Sequence, residues 1–121
     1  MIDHLTLRVA DYARSKKFYE AALAPLEYEL IMEFPDMCGL GANRKPDFWV
    51  GKGDGARPSM HIAFAAPTRD QVDQFFDAAM KAGAKDNGKP GLRKEYHENY
   101  YGAFVLDPDG HNIEAVCHKA E

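Results

Sequence analysis

Two histidines and one carboxylate stand out as residues able to do chemistry together. His4 and His61 hold the same place in two stretches that repeat at an offset of 57 residues, and Glu114 lies in the last apolar stretch. Two imidazoles and a carboxylate converging in a cleft form a facial triad, which holds a divalent metal and leaves positions open for substrate oxygens. The same residues have a plainer reading. A strand histidine can be a hydrogen-bonded interior residue, and an inward Glu114 can pair with Arg8. The repeat weighs toward the triad, because it gives both histidines one structural position and ends its second copy on the glutamate.

The elements that position these residues follow from the repeat. His4-Leu5-Thr6-Leu7-Arg8-Val9-Ala10-Asp11 aligns with the eight residues from His61, and Phe18-Tyr19-Glu20-Ala21-Ala22-Leu23 with Phe75-Phe76-Asp77-Ala78-Ala79-Met80. Ile2 to Val9 alternates with a two-residue period, and so does Met60 to Ala65. Leu5, Leu7 and Val9 form one face, like Met60, Ile62 and Phe64, so both histidines point to the other. A helix follows each strand. The first has Asp11 as N-cap, an apolar stripe from Ser15 to Leu23, and Pro25 as its stop. The second opens on a Thr68–Gln71 capping box, carries Val72, Phe75, Phe76, Ala79 and Met80, and ends at Gly83.

Three further strands are expected in each module. In the first they lie near Tyr28–Met32, Met37–Ala42 and Asp47–Val50. In the second, Tyr101–Leu106 and His111–Cys117 are clear, joined by Asp107-Pro108-Asp109-Gly110, which suits a type I turn. On the last strand Asn112, Glu114 and Val116 share a face opposite Ile113, Ala115 and Cys117, which directs Glu114 to the histidine side. Residues 86–100 are rich in Gly, Pro and charge, then dense in aromatics, and read either as a surface connection or as a lid over the site.

Bulk properties narrow the partners. The chain has 121 residues, with 15 Lys and Arg against 19 Asp and Glu, a net charge of −4. No basic block suits nucleic acid, and no apolar stretch approaches a membrane span. The opening residues lack the pattern of a signal peptide, and Cys38 and Cys117 have neither metal-knuckle nor disulfide spacing, so the cytoplasm is the expected location. Open half-barrels with exposed strand edges invite pairing, so a homodimer binding a small molecule is expected. The repeat does not tell whether modules pair within one chain or swap between two.

At these residues the sequence resembles the vicinal oxygen chelate superfamily, which includes glyoxalase I, extradiol dioxygenases, fosfomycin-resistance transferases and bleomycin-resistance proteins. The resemblance rests on His4 to Asp11, on His61, and on Asp107-Pro108-Asp109-Gly110-His111-Asn112-Ile113-Glu114. It implies an α+β fold, a single glyoxalase-like domain over residues 1–121. Two βαβββ modules, about 1–54 and 58–121, would form an open barrel. It further implies a divalent metal (Fe, Mn, Zn or Ni) held by His4, His61 and Glu114.

One departure matters. The end of the first module, Lys45 to Gly51, aligns with Gly110 to Val116 and sets Trp49 where glyoxalase I carries a fourth, carboxylate ligand. Indole cannot ligate, so glyoxalase I activity is not expected, and Trp49 becomes a candidate wall of the substrate pocket with Arg8, Tyr96 and Tyr100. Thr6 aligns with a residue that acts on substrate in the fosfomycin-resistance group. Extradiol dioxygenases use a His and a Tyr near the metal, which makes His97 and Tyr101 candidates for proton transfer. The leading expectation is a metal-dependent lyase, isomerase or oxygenase acting on a small oxygen-chelating metabolite. The alternatives are a metal-free drug-binding protein like the bleomycin-resistance proteins, and a scaffold in which the His and Glu side chains only hydrogen-bond.

Overall fold

A computed structural model describes residues 2–54 and 59–120. The expected junction between the modules, near residues 54–58, falls largely outside the described residues. The first module consists of β1 (Leu5–Val9), α1 (Tyr12–Leu23), β2 (Glu29–Phe34), β3 (Met37–Ala42) and β4 (Lys45–Lys52). The second consists of β5 (His61–Ala65), α2 (Arg69–Lys81), β6 (Lys85–Leu92), β7 (Tyr101–Leu106) and β8 (Asn112–Cys117). The sheets are ordered β1-β4-β3-β2 and β5-β8-β7-β6, so the βαβββ unit is used twice with one topology. In each module the first strand runs parallel to the last, and the remaining pairs are antiparallel.

The two helices pack on each other, and each sheet lays one face against its own helix. Leu7, Val9, Phe18, Tyr19, Leu23, Phe48 and Val50 from the first module join Phe64, Val72, Phe75, Val105, Ile113 and Ala115 from the second in one core. The rings of Phe48 and Phe64 meet edge to face, centroids 5.2 Å apart, and link the two sheets directly. Among the described residues no helix covers the second face of either sheet, and it is the face that holds Thr6, Arg8 and Glu114.

Local chemistry explains the joints. Asp11 caps α1, its carboxylate accepting from the Arg14 amide at 3.1 Å, and Thr68 caps α2 by accepting from the Gln71 amide at 3.1 Å. The hairpin turn is locked by one side chain. Asp107 accepts from the amides of Asp109 (2.9 Å) and His111 (2.8 Å) through Oδ1 and from the buried Tyr19 hydroxyl through Oδ2. The Gly110 amide closes the turn on the Asp107 carbonyl at 3.0 Å. Asp109 accepts from the Ala10 amide at 3.2 Å, which ties the hairpin to the first module. The motif Asp107 to Gly110 is thus a structural clamp.

Helix α1 ends at Leu23, as a stop at Pro25 requires, and Pro25 sits inside a short 3₁₀ turn, Ala24–Leu26, where a missing amide costs little. Two expectations need correcting. The first strand begins at Leu5, where pairing with Phe48 starts, so His4 precedes it. Much of 86–100 is strand: β6 runs to Leu92 despite Gly88, Pro90 and Gly91, because an edge strand tolerates proline and takes up register shifts at its glycines. Only Arg93–Tyr100 connects β6 to β7, folded back by bonds from the Arg93 amide to the Tyr100 carbonyl (2.7 Å) and from the Tyr100 amide to the His97 carbonyl (3.1 Å).

Candidate active site

The second sheet builds a compact polar centre on its open face. Strand parity sends Glu114 to that face, and the β5–β8 register sets it opposite Ala63, one pleat from His61. Glu114 is only 1% exposed, and His61 Nε2 lies 3.1 Å from its Oε1. The other imidazole nitrogen, Nδ1, is 3.1 Å from the Asn112 carbonyl oxygen. A carbonyl only accepts, so Nδ1 carries a hydrogen and Nε2 is the nitrogen that faces Glu114. Glu114 Oε1 can only accept, so Nε2 meets it either by donating a proton or by sharing a metal ion with it, on a ring whose side chain is 51% exposed.

The surroundings fix this pair. Phe104, opposite Glu114 on β7, stacks on the His61 ring at 6.2 Å, and the Arg93 guanidinium covers Phe104 at 5.4 Å. The Tyr100 hydroxyl donates to Glu114 Oε2. Burial, and after it that bond to a carboxylate, push the Tyr100 phenol up to about 12, so it stays a donor at neutral pH.

On the first sheet the register pairs Thr6 with Trp49, as Ala63 pairs with Glu114. Trp49 thus holds the position equivalent to Glu114. Its indole lies across Gly39, where an added Cβ would come within 2.9 Å of the ring, so a glycine there makes room for it. Arg8, on the same face, packs over Gly51 and Gly53 and donates to the Lys52 carbonyl at 3.4 Å. It has no carboxylate partner among the described residues. A cavity of about 480 Å³ opens beside it, lined by Arg8, Phe34, Pro35, Asp36, Met37 and Lys52.

Within one chain the structure unites His61, Glu114 and Tyr100 but does not bring His4 to them. His4 pairs with Asp3 at 2.8 Å, 57% of its side chain exposed, and the described residues contain no group of three His, Cys, Asp or Glu able to hold a metal. Glu114 does not pair with Arg8. Tyr101 turns away from the centre: it faces α2, its hydroxyl donates to Asp73 at 2.7 Å, and Arg69 covers its ring. Its neighbours in β7, Ala103 and Val105, are buried in the core, and strand parity carries Tyr101 with them. His97 sits on the connecting turn with Nδ1 accepting from the Asn99 amide, and Tyr96 is exposed with its ring edge on Tyr100. Sequence reasoning missed Phe104 and His118. The tight turn at Asp107–Gly110 pairs Leu106 with Asn112 and so Phe104 with Glu114, a register that could have been read in advance.

Solved structures share this architecture. A glyoxalase/bleomycin resistance protein from Albidiferax ferrireducens T118 superposes with a TM-score of 0.81 at 26% identity, covering 95% of this chain and 97% of that one. A glyoxalase/bleomycin resistance protein/dioxygenase family enzyme from Burkholderia phytofirmans PsJN gives 0.76 at 17%, covering 98% of each chain. A lactoylglutathione lyase from Agrobacterium tumefaciens gives 0.70 at 15%, covering 97% of this chain and 92% of that one. No curated protein matches the sequence. The sequence model of one family matches residues 40–115, more than half of the chain, and with the paired modules it settles the assignment: the protein belongs to the Glyoxalase/Bleomycin resistance protein/Dioxygenase superfamily.

Proposed function

We propose that the protein is a divalent-metal-dependent enzyme of this superfamily, a lyase, isomerase or oxygenase acting on a small oxygen-chelating metabolite. The observation that carries the reading is the approach of His61 Nε2, on a half-exposed ring, to Oε1 of the buried Glu114, 3.1 Å apart. Two ligands at right angles about a metal with bonds of roughly 2.1 Å lie about 3 Å apart, so the donors fit a shared ion. A metal bound there would act as a Lewis acid toward a substrate oxygen.

We further propose that the third ligand is the partner's His4, in a homodimer. The outer edges of β1 and β5 have no hydrogen-bonded strand beside them among the described residues, so each sheet can receive a neighbour. Placing the first sheet of one copy against the second sheet of another would complete the barrel around the triad. Thr6, Trp49 and Arg8 would then face the His61–Glu114 pair across one cleft. Trp49 supplies an apolar wall in place of a fourth ligand, and Arg8 supplies donors for an anionic or polarised substrate group. His97 and Tyr96 stand at its rim.

Titration of chelator-treated protein with Mn, Fe, Ni and Zn, followed by calorimetry and thermal melting, tests the metal. Binding at one ion per chain with a raised melting temperature is expected. No bound ion and no shift would favour the metal-free binding protein.

A further inference from the structure

We propose that Tyr100 is a positioning residue for Glu114: its hydroxyl takes Oε2 out of play and presents Oε1 beside His61 Nε2 as a one-oxygen ligand. The inference rests on the metal reading above. The Tyr100 hydroxyl proton is thereby committed to Glu114.

Three elements hold the tyrosine in this role. The turn Arg93–Tyr100 pins its backbone on both sides through Arg93 and His97. The Tyr96 ring meets its face at 5.1 Å and 70°, and the His118 ring, just beyond β8, meets it at 5.2 Å and 90°. Edge-to-face contacts of this kind fix a ring's direction as well as its depth. Beneath it lies Gly102. A Cβ there would stand 3.2 Å from Tyr100 Cε1 and 3.3 Å from Glu114 Oε2, tight against both partners of the hydrogen bond. Glycine at 102 therefore makes room for the tyrosine–glutamate contact.

A free carboxylate can swing both oxygens onto a metal. With Oε2 bonded to a phenol that is itself wedged between rings, Glu114 offers one oxygen, and the coordination position it would otherwise fill stays open to substrate. Groups that orient a ligand in this way are worth about 10- to 100-fold in metal affinity. His118 acts one step further out, by fixing Tyr100.

The test uses the full chain, chelator-treated and titrated with Co(II), in the wild type and in Tyr100→Phe, Gly102→Ala, His118→Ala and His118→Phe. Calorimetry reads affinity, and the visible absorption of cobalt reads the coordination. Tyr100→Phe keeps the ring and is expected to weaken binding about 10- to 100-fold with an altered cobalt spectrum. Gly102→Ala should move both readouts the same way, His118→Ala should do so more weakly, and His118→Phe should restore them. A purely structural role would lower the melting temperature of Tyr100→Phe but leave affinity within about twofold and the spectrum unchanged, which would overturn this inference alone. Wild-type protein that binds no cobalt would overturn the metal reading and this inference together.

Discussion

Replacing Glu114 by glutamine should make the metal-free protein more stable. Glu114 is 1% exposed, and where neither metal nor proton joins the pair its Oε1 faces His61 Nε2 at 3.1 Å unbonded while Oε2 receives a hydrogen bond from Tyr100. Glutamine has the same shape. Its amide nitrogen can donate to His61 Nε2 and its oxygen can accept from Tyr100, which satisfies every group. Removing a poorly solvated buried charge in this manner is worth about 1–3 kcal/mol. For a chain of this size that corresponds to a melting temperature raised by roughly 3–10 °C. Metal reverses the order. At a thousandfold excess over its dissociation constant it stabilises the wild type by about 4.1 kcal/mol, and it should leave Glu114→Gln unchanged. Thermal and urea melts of both proteins, with chelator and with metal, measure all four states. A metal-free Glu114→Gln less stable than the wild type would refute the reasoning, because it would mean that a proton joins His61 and Glu114 in a stabilising ion pair.

Three further outcomes are expected. Phe64→Ala empties the junction where Phe48 and Tyr28 meet Phe64, at 5.2 and 5.6 Å, and should cost about 3–5 kcal/mol in urea unfolding, with both modules lost in one transition. The fluorescence of Trp49, the chain's one tryptophan, should be quenched by catechol-like ligands only when metal is present, and the glutathione–methylglyoxal adduct should show weak or no turnover in a direct absorbance assay.

Much of the architecture was legible because it rests on short-range rules. Period-two alternation placed Glu114 on the open face, and the turn Asp107–Gly110 placed β7 beside β8. The equivalence of Trp49 and Glu114 came from aligning the module ends, and the register now shows it directly. Strand β6, expected after Gly83, read only weakly because Gly88, Pro90 and Gly91 lower strand propensity wherever they occur, and only its place at a sheet edge makes them tolerable. Tyr101 was misjudged for want of the same parity rule, since Ala103 and Val105 carry it to the helix face. The distance from His4 to His61 was illegible for a different reason. A repeat fixes what each module looks like, whereas the docking of two modules depends on long-range packing such as Phe48 on Phe64, which no local pattern encodes.

The central claim, a triad shared between two copies, is tested most directly by complementation. His4→Ala and Glu114→Ala proteins, each unable to hold metal, are unfolded together, refolded and titrated. If the partner's His4 completes the site, half of the dimers are mixed and each mixed dimer carries one intact triad, so metal binding returns to about a quarter of the wild-type capacity. If His4, His61 and Glu114 of one chain make the site, every triad in the mixture lacks a ligand and no binding returns, and the shared-site account is contradicted.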